Sequence, residues 1–162
     1  MRPLIQEIQT SHTSESLAAQ LLTPHSNVVL LRTPARYSFV AANPFLTFRS
    51  FGSRCKISPL RTPDASPQFQ FGNPWHLLDA LMARFELLDE IDLPFPLGGC
   101  FGFWGYDLKN FTEPKLSRHA DNDLELPECH VGFYDSLVVF DHYLGKVFVI
   151  STGLSADGSR NE

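Results

Sequence analysis

The stretch from Pro94 to Pro114 constrains this chain more than any other. It reads Pro-Phe-Pro-Leu-Gly-Gly-Cys-Phe-Gly-Phe-Trp-Gly-Tyr-Asp-Leu-Lys-Asn-Phe-Thr-Glu-Pro. Gly98, Gly99, Gly102 and Gly105 alternate with Phe101, Phe103, Trp104 and Tyr106. Several glycines within one strand imply a bulge or a close approach of another backbone. The flanking aromatics supply the buried area that the glycines lack. The expected element is a packed core or interdomain strand from Leu97 to Tyr106. A helical turn from Asp107 to Glu113 follows it.

This run is not a phosphate-binding loop. A dinucleotide fingerprint places Gly-x-Gly-x-x-Gly between a strand and a helix. Here aromatics fill the gaps, and no long amphipathic helix follows. No Gly-Lys-Ser/Thr occurs either, which excludes a P-loop. Asp107 and Glu113 are two carboxylates that acid-base chemistry could use, but the sequence gives them no convergent partner. The simpler expectation is that Asp107 caps the following turn and Glu113 pairs with a cation.

Other elements follow from periodicity and punctuation. Thr13 or Ser14 caps a short helix through Leu17, Ala18, Leu21 and Leu22. Asn27 to Arg32 reads as a buried strand. Tyr37 to Ala42 and Phe45 to Phe51 read as strands interrupted by Asn43-Pro44, and a short strand lies near Cys55 to Ser58. Pro59 to Gln70, with three prolines, reads as a mobile surface loop. Asn73 caps a helix from Pro74 to Leu88, with apolar residues at Trp75, Leu78, Leu81, Met82, Phe85 and Leu88 forming one stripe. Arg118 to Asp123 reads as an exposed loop. Cys129 to Asp141 and Lys146 to Ser151 read as a hairpin turned at Gly145. Regular β-α-β alternation is missing. The expected fold class is α+β, mainly an antiparallel β-sheet with a few packed helices. Residues 1–152 form the domain, and 153–162 form a polar linker or truncated end.

Composition narrows the function. At 162 residues the chain fits one domain with a substantial core. Thirteen basic against 18 acidic residues give a net charge of −5, which argues against nucleic acid as a partner. No apolar run reaches the roughly 18 residues that span a bilayer, and the start lacks the apolar stretch of a secretory signal. Cys55, Cys100 and Cys129 are odd in number and far apart, and the six histidines show no metal-ligand spacing. The expectation is therefore a cytoplasmic protein with no metal site in this segment. His130 beside Cys129 is not a catalytic pair, because neighbours in a strand point to opposite faces.

The glycine run also carries a family resemblance. Gly-Gly-x-x-Gly-x-x-Gly-Tyr-Asp followed by Glu113 resembles the amino-terminal domain of the chorismate-utilising enzymes, aminodeoxychorismate synthase component I and anthranilate synthase component I. Further similar segments occur in the same order. They are Arg36-Tyr37-Ser38-Phe39-Val40-Ala41-Ala42-Asn43-Pro44, Leu93-Pro94-Phe95, Leu126-Pro127, Val131-Gly132-Phe133-Tyr134-Asp135 and Val138-Val139-Phe140-Asp141-His142. The aminodeoxychorismate branch is the closer match.

The resemblance implies a two-part enzyme of 4-aminobenzoate and folate biosynthesis, a transferase fed with ammonia by a glutamine amidotransferase subunit. Its catalysis, chorismate binding and magnesium belong to a carboxy-terminal domain whose motifs are absent here. This segment would then have no catalytic residues. Gly98, Gly99, Gly102, Gly105, Tyr106, Asp107 and Glu113 would serve the fold and its packing on the catalytic half. The resemblance also places a tryptophan pocket where anthranilate synthases carry Leu-Leu-Glu-Ser. Here the pocket would use Leu31, Thr33, Arg36 and Tyr37, with Arg36 facing the ligand carboxylate. Arg32-Thr33 replaces the acid-Ser pair, which removes an ammonium partner. The rival readings are a tryptophan-sensing anthranilate synthase domain and a free-standing binding or scaffold module.

Overall fold

The computed structural model describes residues 2–62, 65–87, 91–117 and 124–160. Among the described residues, ten strands and three helices are formed: β1 (Leu4–Ile8), α1 (Ser14–Leu21), β2 (Val29–Arg32), β3 (Tyr37–Ala41), β4 (Leu46–Phe51), β5 (Arg54–Pro59), β6 (Gln68–Phe71), α2 (Pro74–Arg84), β7 (Gly99–Trp104), α3 (Lys109–Thr112), β8 (Cys129–Tyr134), β9 (Ser136–Asp141) and β10 (Lys146–Ser151). A 3-10 turn, Tyr106–Leu108, precedes α3. The strands make two five-stranded antiparallel sheets, ordered β1-β10-β9-β3-β2 and β6-β5-β4-β8-β7. The class is α+β and mainly antiparallel, as the sequence implies.

The two best helix signals work as their chemistry requires. Thr13 accepts from the Ser16 N–H while the Ser16 hydroxyl accepts from the Thr13 N–H, a reciprocal capping box. Asn73 accepts from the Trp75 N–H, and Pro74 fills the first helical position. Helix α2 ends at Arg84, short of the expected Leu88, which lies outside the described residues. So does the expected loop from Arg118 to Asp123.

Each sheet has its own core. Leu78 of α2 and Phe85, the residue that caps its end, pack on Phe48, Ile57, Val131 and Phe133 of the second sheet. The ring centroids of Phe45 and Phe85 stand 5.1 Å apart, edge to face. Val139, Leu137 and Ile150 of the first sheet meet Phe95 and, from the second sheet, Tyr134 and Phe101. Removing an aromatic side chain of this size from water contributes about 2–3 kcal/mol. Beyond Ser151, Leu154 and Ala156 pack on the first of these cores, and Leu154 bridges to Arg160.

The chain crosses between sheets at two corners, and Arg61 holds both. One is Asn43-Pro44, where Asn43 is left-handed at φ 53°. The other is Asp135, whose carbonyl accepts from the Thr152 N–H at 2.8 Å. Arg61 donates to the Asn43 carbonyl through Nε, at 2.9 Å, and through Nη2. Its Nη1 lies 2.7 Å from Asp135 Oδ1, and that carboxylate is buried.

Several expectations are corrected. The run Cys129 to Asp141 is not one hairpin arm: Asp135 splits it into β8 and β9, in different sheets. The segment Pro59 to Gln70 is not all loop, because β5 extends through Pro59 and β6 starts at Gln68. Strand β2 is an exposed edge, not a buried strand, since among the described residues only β3 pairs with it. Strand β1 was not expected. The glycine strand is shorter than expected and lies at a sheet edge, with Phe103 and Trp104 more than 40% exposed.

Candidate functional site

The β2–β3 turn brings Leu31, Thr33, Arg36 and Tyr37 together, but it employs the polar groups of Thr33 and Arg36 inside the fold. Register places Leu31 opposite Phe39 and Arg32 opposite Ser38. Thr33 donates its hydroxyl to the Tyr37 carbonyl at 2.8 Å, which closes the turn. Leu31 is largely exposed. Arg32 pairs at 2.7 Å with Glu15 of α1, both in solvent.

Arg36 grips Asp141. Its Nε donates to Oδ1 and Oδ2 at 3.0 and 2.9 Å, and Nη2 donates to Oδ2 at 2.6 Å. Tyr37 and Tyr143 lie under the guanidinium, at 4.9 and 5.6 Å. Asp141 also accepts the N–H groups of Tyr143 and Leu144, both at 3.0 Å, which shapes the β9–β10 turn. The hydrogen bonds from Arg36 hold the Asp141 carboxyl below its ordinary range, aided by those two N–H groups against the opposing effect of burial. The same pair raises Arg36 further. Asp141 thus occupies the position that the sequence reading gave to a ligand carboxylate. The Tyr37 hydroxyl is buried with no hydrogen-bond partner among the described residues.

The glycine strand serves packing. A Cβ on Gly102 would stand 2.1 Å from the His130 carbonyl oxygen, so β7 can lie this close to β8 only with glycine there. Equivalent atoms on Gly98 and Gly105 would meet the Tyr134 and Glu128 carbonyls at 2.7 and 2.9 Å. Gly99 meets only the Phe101 ring, at 3.5 Å. Tyr106 is exposed, with the Lys109 ammonium 4.9 Å from its ring. Asp107 does not cap the turn: Gly105 holds the cap position, and Asp107 lies 3.6 Å from Lys109. Glu113 forms no ion pair among the described residues. These residues do not converge on a reacting atom.

Among the described residues, cavities lie elsewhere that sequence reasoning did not find. A cleft of about 450 Å³ between α2 and β7 is lined by Phe45, Met82, Phe85, Cys100 and Phe133, with Asp79 and Glu86 also on its walls. A second of about 540 Å³, sharing Asp79, Met82 and Cys100, is lined by Trp75 and Trp104. A third of about 220 Å³ lies on the other face of the second sheet, among Asn27, Val29, Thr47, Phe101, His130 and Tyr134. There Tyr134 donates to the Asn27 carbonyl at 2.6 Å, and burial pushes its hydroxyl up to about 12. Burial, then Arg49, lowers His130, whose Nε2 accepts from Arg49 Nε at 3.1 Å. The period-2 pattern that puts Thr47 and Arg49 on one face was the available signal for this cavity. Burial pushes Cys55 up to about 11 and Cys100 and Cys129 up to about 12, so these thiols stay protonated. Among the described residues, no three His, Cys, Asp or Glu side chains converge as a metal site requires.

A two-sheet α+β module whose polar clusters stabilise turns among the described residues is what this fold defines. No protein-family model matches it. Related proteins place it. It is 35% identical over 116 residues to anthranilate synthase component 1 of Acetivibrio thermocellus, a match covering 72% of this chain and 23% of that protein. Aminodeoxychorismate synthase component 1 of Escherichia coli (strain K12) is 30% identical over 119 residues, covering 72% and 25%. The crystal structure of anthranilate synthase component I from Streptococcus pneumoniae TIGR4 superposes with a TM-score of 0.60 at 28% identity, over 89% of this chain and 30% of that one. The chain is thus a homologue of component I of anthranilate synthase and aminodeoxychorismate synthase. It spans about a quarter of the length of these relatives.

Proposed function

We propose that this chain is the non-catalytic amino-terminal domain of a chorismate-aminating enzyme and supports a catalytic domain carried by the rest of a component I polypeptide. One observation carries the reading: homology covers 72% of this chain but about a quarter of its relatives, and no catalytic constellation forms among the described residues. Chorismate, magnesium and a glutamine amidotransferase partner belong to the whole enzyme, acting in the cytoplasm.

Within the family we favour the aminodeoxychorismate branch, hence 4-aminobenzoate and folate synthesis. The acid of Leu-Leu-Glu-Ser is absent, and Arg32 in its place is turned to Glu15. A second reading, an anthranilate synthase domain that senses tryptophan, draws on the anthranilate synthase names among the relatives and on the unpartnered Tyr37 hydroxyl.

The test follows chorismate spectroscopically with ammonia and magnesium. The chain alone should consume none. A chimera in which it replaces the matched segment of the Escherichia coli component 1 should consume chorismate. Turnover by the isolated chain would overturn the reading, as would a folded but inert chimera.

A further inference from the structure

The two sheets end in four edges, and three of them carry a defence against strand addition. Strand β1 carries Glu7, paired at 2.8 Å with Lys146. Strand β2 has four residues and carries Arg32. Strand β6 has four residues, and Arg54 and Lys56 stand 4.6 and 5.9 Å from its Phe69 ring. Short length and cations are common ways of blunting an edge.

Strand β7 has neither. It is six residues long, Gly-Cys-Phe-Gly-Phe-Trp, without a charge or a proline. Only β8 pairs with it among the described residues. The hydrogen bond from the Gly105 N–H to the Glu128 carbonyl, 2.7 Å long, fixes the phase of the ladder. In an antiparallel pair, residues alternate between bonding inward and outward. Phe101 and Phe103 therefore bond to β8, and Cys100, Gly102 and Trp104 direct their N–H and C=O groups away from it. The side chains of Cys100 and Trp104, on the α2 side of the strand, line the two adjoining clefts between β7 and α2, with Met82 and Trp75 also in their walls and the carboxylates of Asp79 and Glu86 beside them.

We propose that the free edge of β7 receives an extended strand from the catalytic remainder of the component I polypeptide. That strand pairs with Cys100, Gly102 and Trp104, sets apolar side chains into the clefts and presents a basic residue to Asp79 or Glu86. The length of relatives outside this chain supplies the occupant, and the acidic walls set its charge. The proposal rests on the functional reading above and specifies the contact that reading needs.

Amide hydrogen exchange tests it, comparing the free chain with the chimera described above. In the free chain, Phe101 and Phe103 should be protected and Cys100, Gly102 and Trp104 should exchange fast. In the chimera those three amides should slow about a hundredfold, as ladder hydrogen bonds form. Trp104→Lys, which puts a charge on the edge, should return them towards the free rate in the chimera and leave Phe101 and Phe103 protected. An active chimera whose three outward amides still exchange fast would overturn this proposal alone. An inert chimera exchanging like the free chain would overturn both. Protection in the free chain that grows with its concentration would mean that a second copy holds the edge, which also overturns the proposal.

Discussion

Asp141 shows how single side chains hold this fold. Arg36 and two turn N–H groups favour its charged form, so its carboxyl titrates below the ordinary 3.8. A depressed folded value contributes stability that is complete above the unfolded value and lost as pH falls through the folded one. Asp141→Asn should therefore unfold at lower urea than the parent at pH 7, and the gap should shrink as pH drops below about 3.8. Parallel midpoints from pH 7 to pH 3 would deny the pair this role. Gly102 makes the same point through sterics. Alanine there puts a Cβ 2.1 Å from a carbonyl oxygen, at φ +156°, and should cost about 3 kcal/mol in urea denaturation. Gly52→Ala is the control. Its Cβ meets nothing within 4 Å at φ +55°, so only the left-handed penalty of about 1 kcal/mol applies.

At the scale of elements, helices were more legible than sheet membership. The cap, the proline and the apolar stripe of α2 are local signals, and they placed its start at the right residue. Asn73→Ala should cost about 1 kcal/mol, read as a shift in the urea midpoint with an unchanged slope. A change below a few tenths would show that packing by Leu78 and Phe85 alone sets the helix start. Strand pairing is non-local, and there the local signals failed. Gln68-Phe69-Gln70-Phe71 alternates as a strand should, yet its proline-rich approach made it look like loop. The apolar run from Cys129 to Asp141 hides a change of sheet, because Asp135 is the only acid between its ends. What marks the corner is Arg61, more than 70 residues away, and the Thr152 N–H. The polar partner of the candidate pocket was hidden for a related reason. Sequence placed Arg36 at the turn but could not show that Asp141, 105 residues on, would occupy it.

For the whole molecule, the decisive question is what this module can bind unaided. An amino acid such as tryptophan needs apolar walls, an acceptor for its ammonium and a donor for its carboxylate. The β2–β3 turn provides Leu31 and Tyr37 as walls. Its arginine is held bidentately by Asp141, and a ligand carboxylate would have to displace a partner that also accepts two backbone N–H groups. Arg32 and Thr33 add no acid. The three cavities described above lie away from Leu31, Thr33, Arg36 and Tyr37. Millimolar tryptophan should therefore leave the melting temperature of the isolated chain unchanged. Binding to the native state raises stability by RT ln(1 + [L]/Kd), so a ligand at ten times its Kd adds about 1.4 kcal/mol. For a domain of this size that is a shift of about 3–5 °C, well within reach of calorimetry. A shift of that size, lost in Tyr37→Phe, would show that the buried hydroxyl finds its partner in the ligand and would favour the anthranilate reading. A shift that survives Tyr37→Phe and disappears in Thr47→Val would instead place the amino acid in the cavity beneath Tyr134, on the other face of the second sheet.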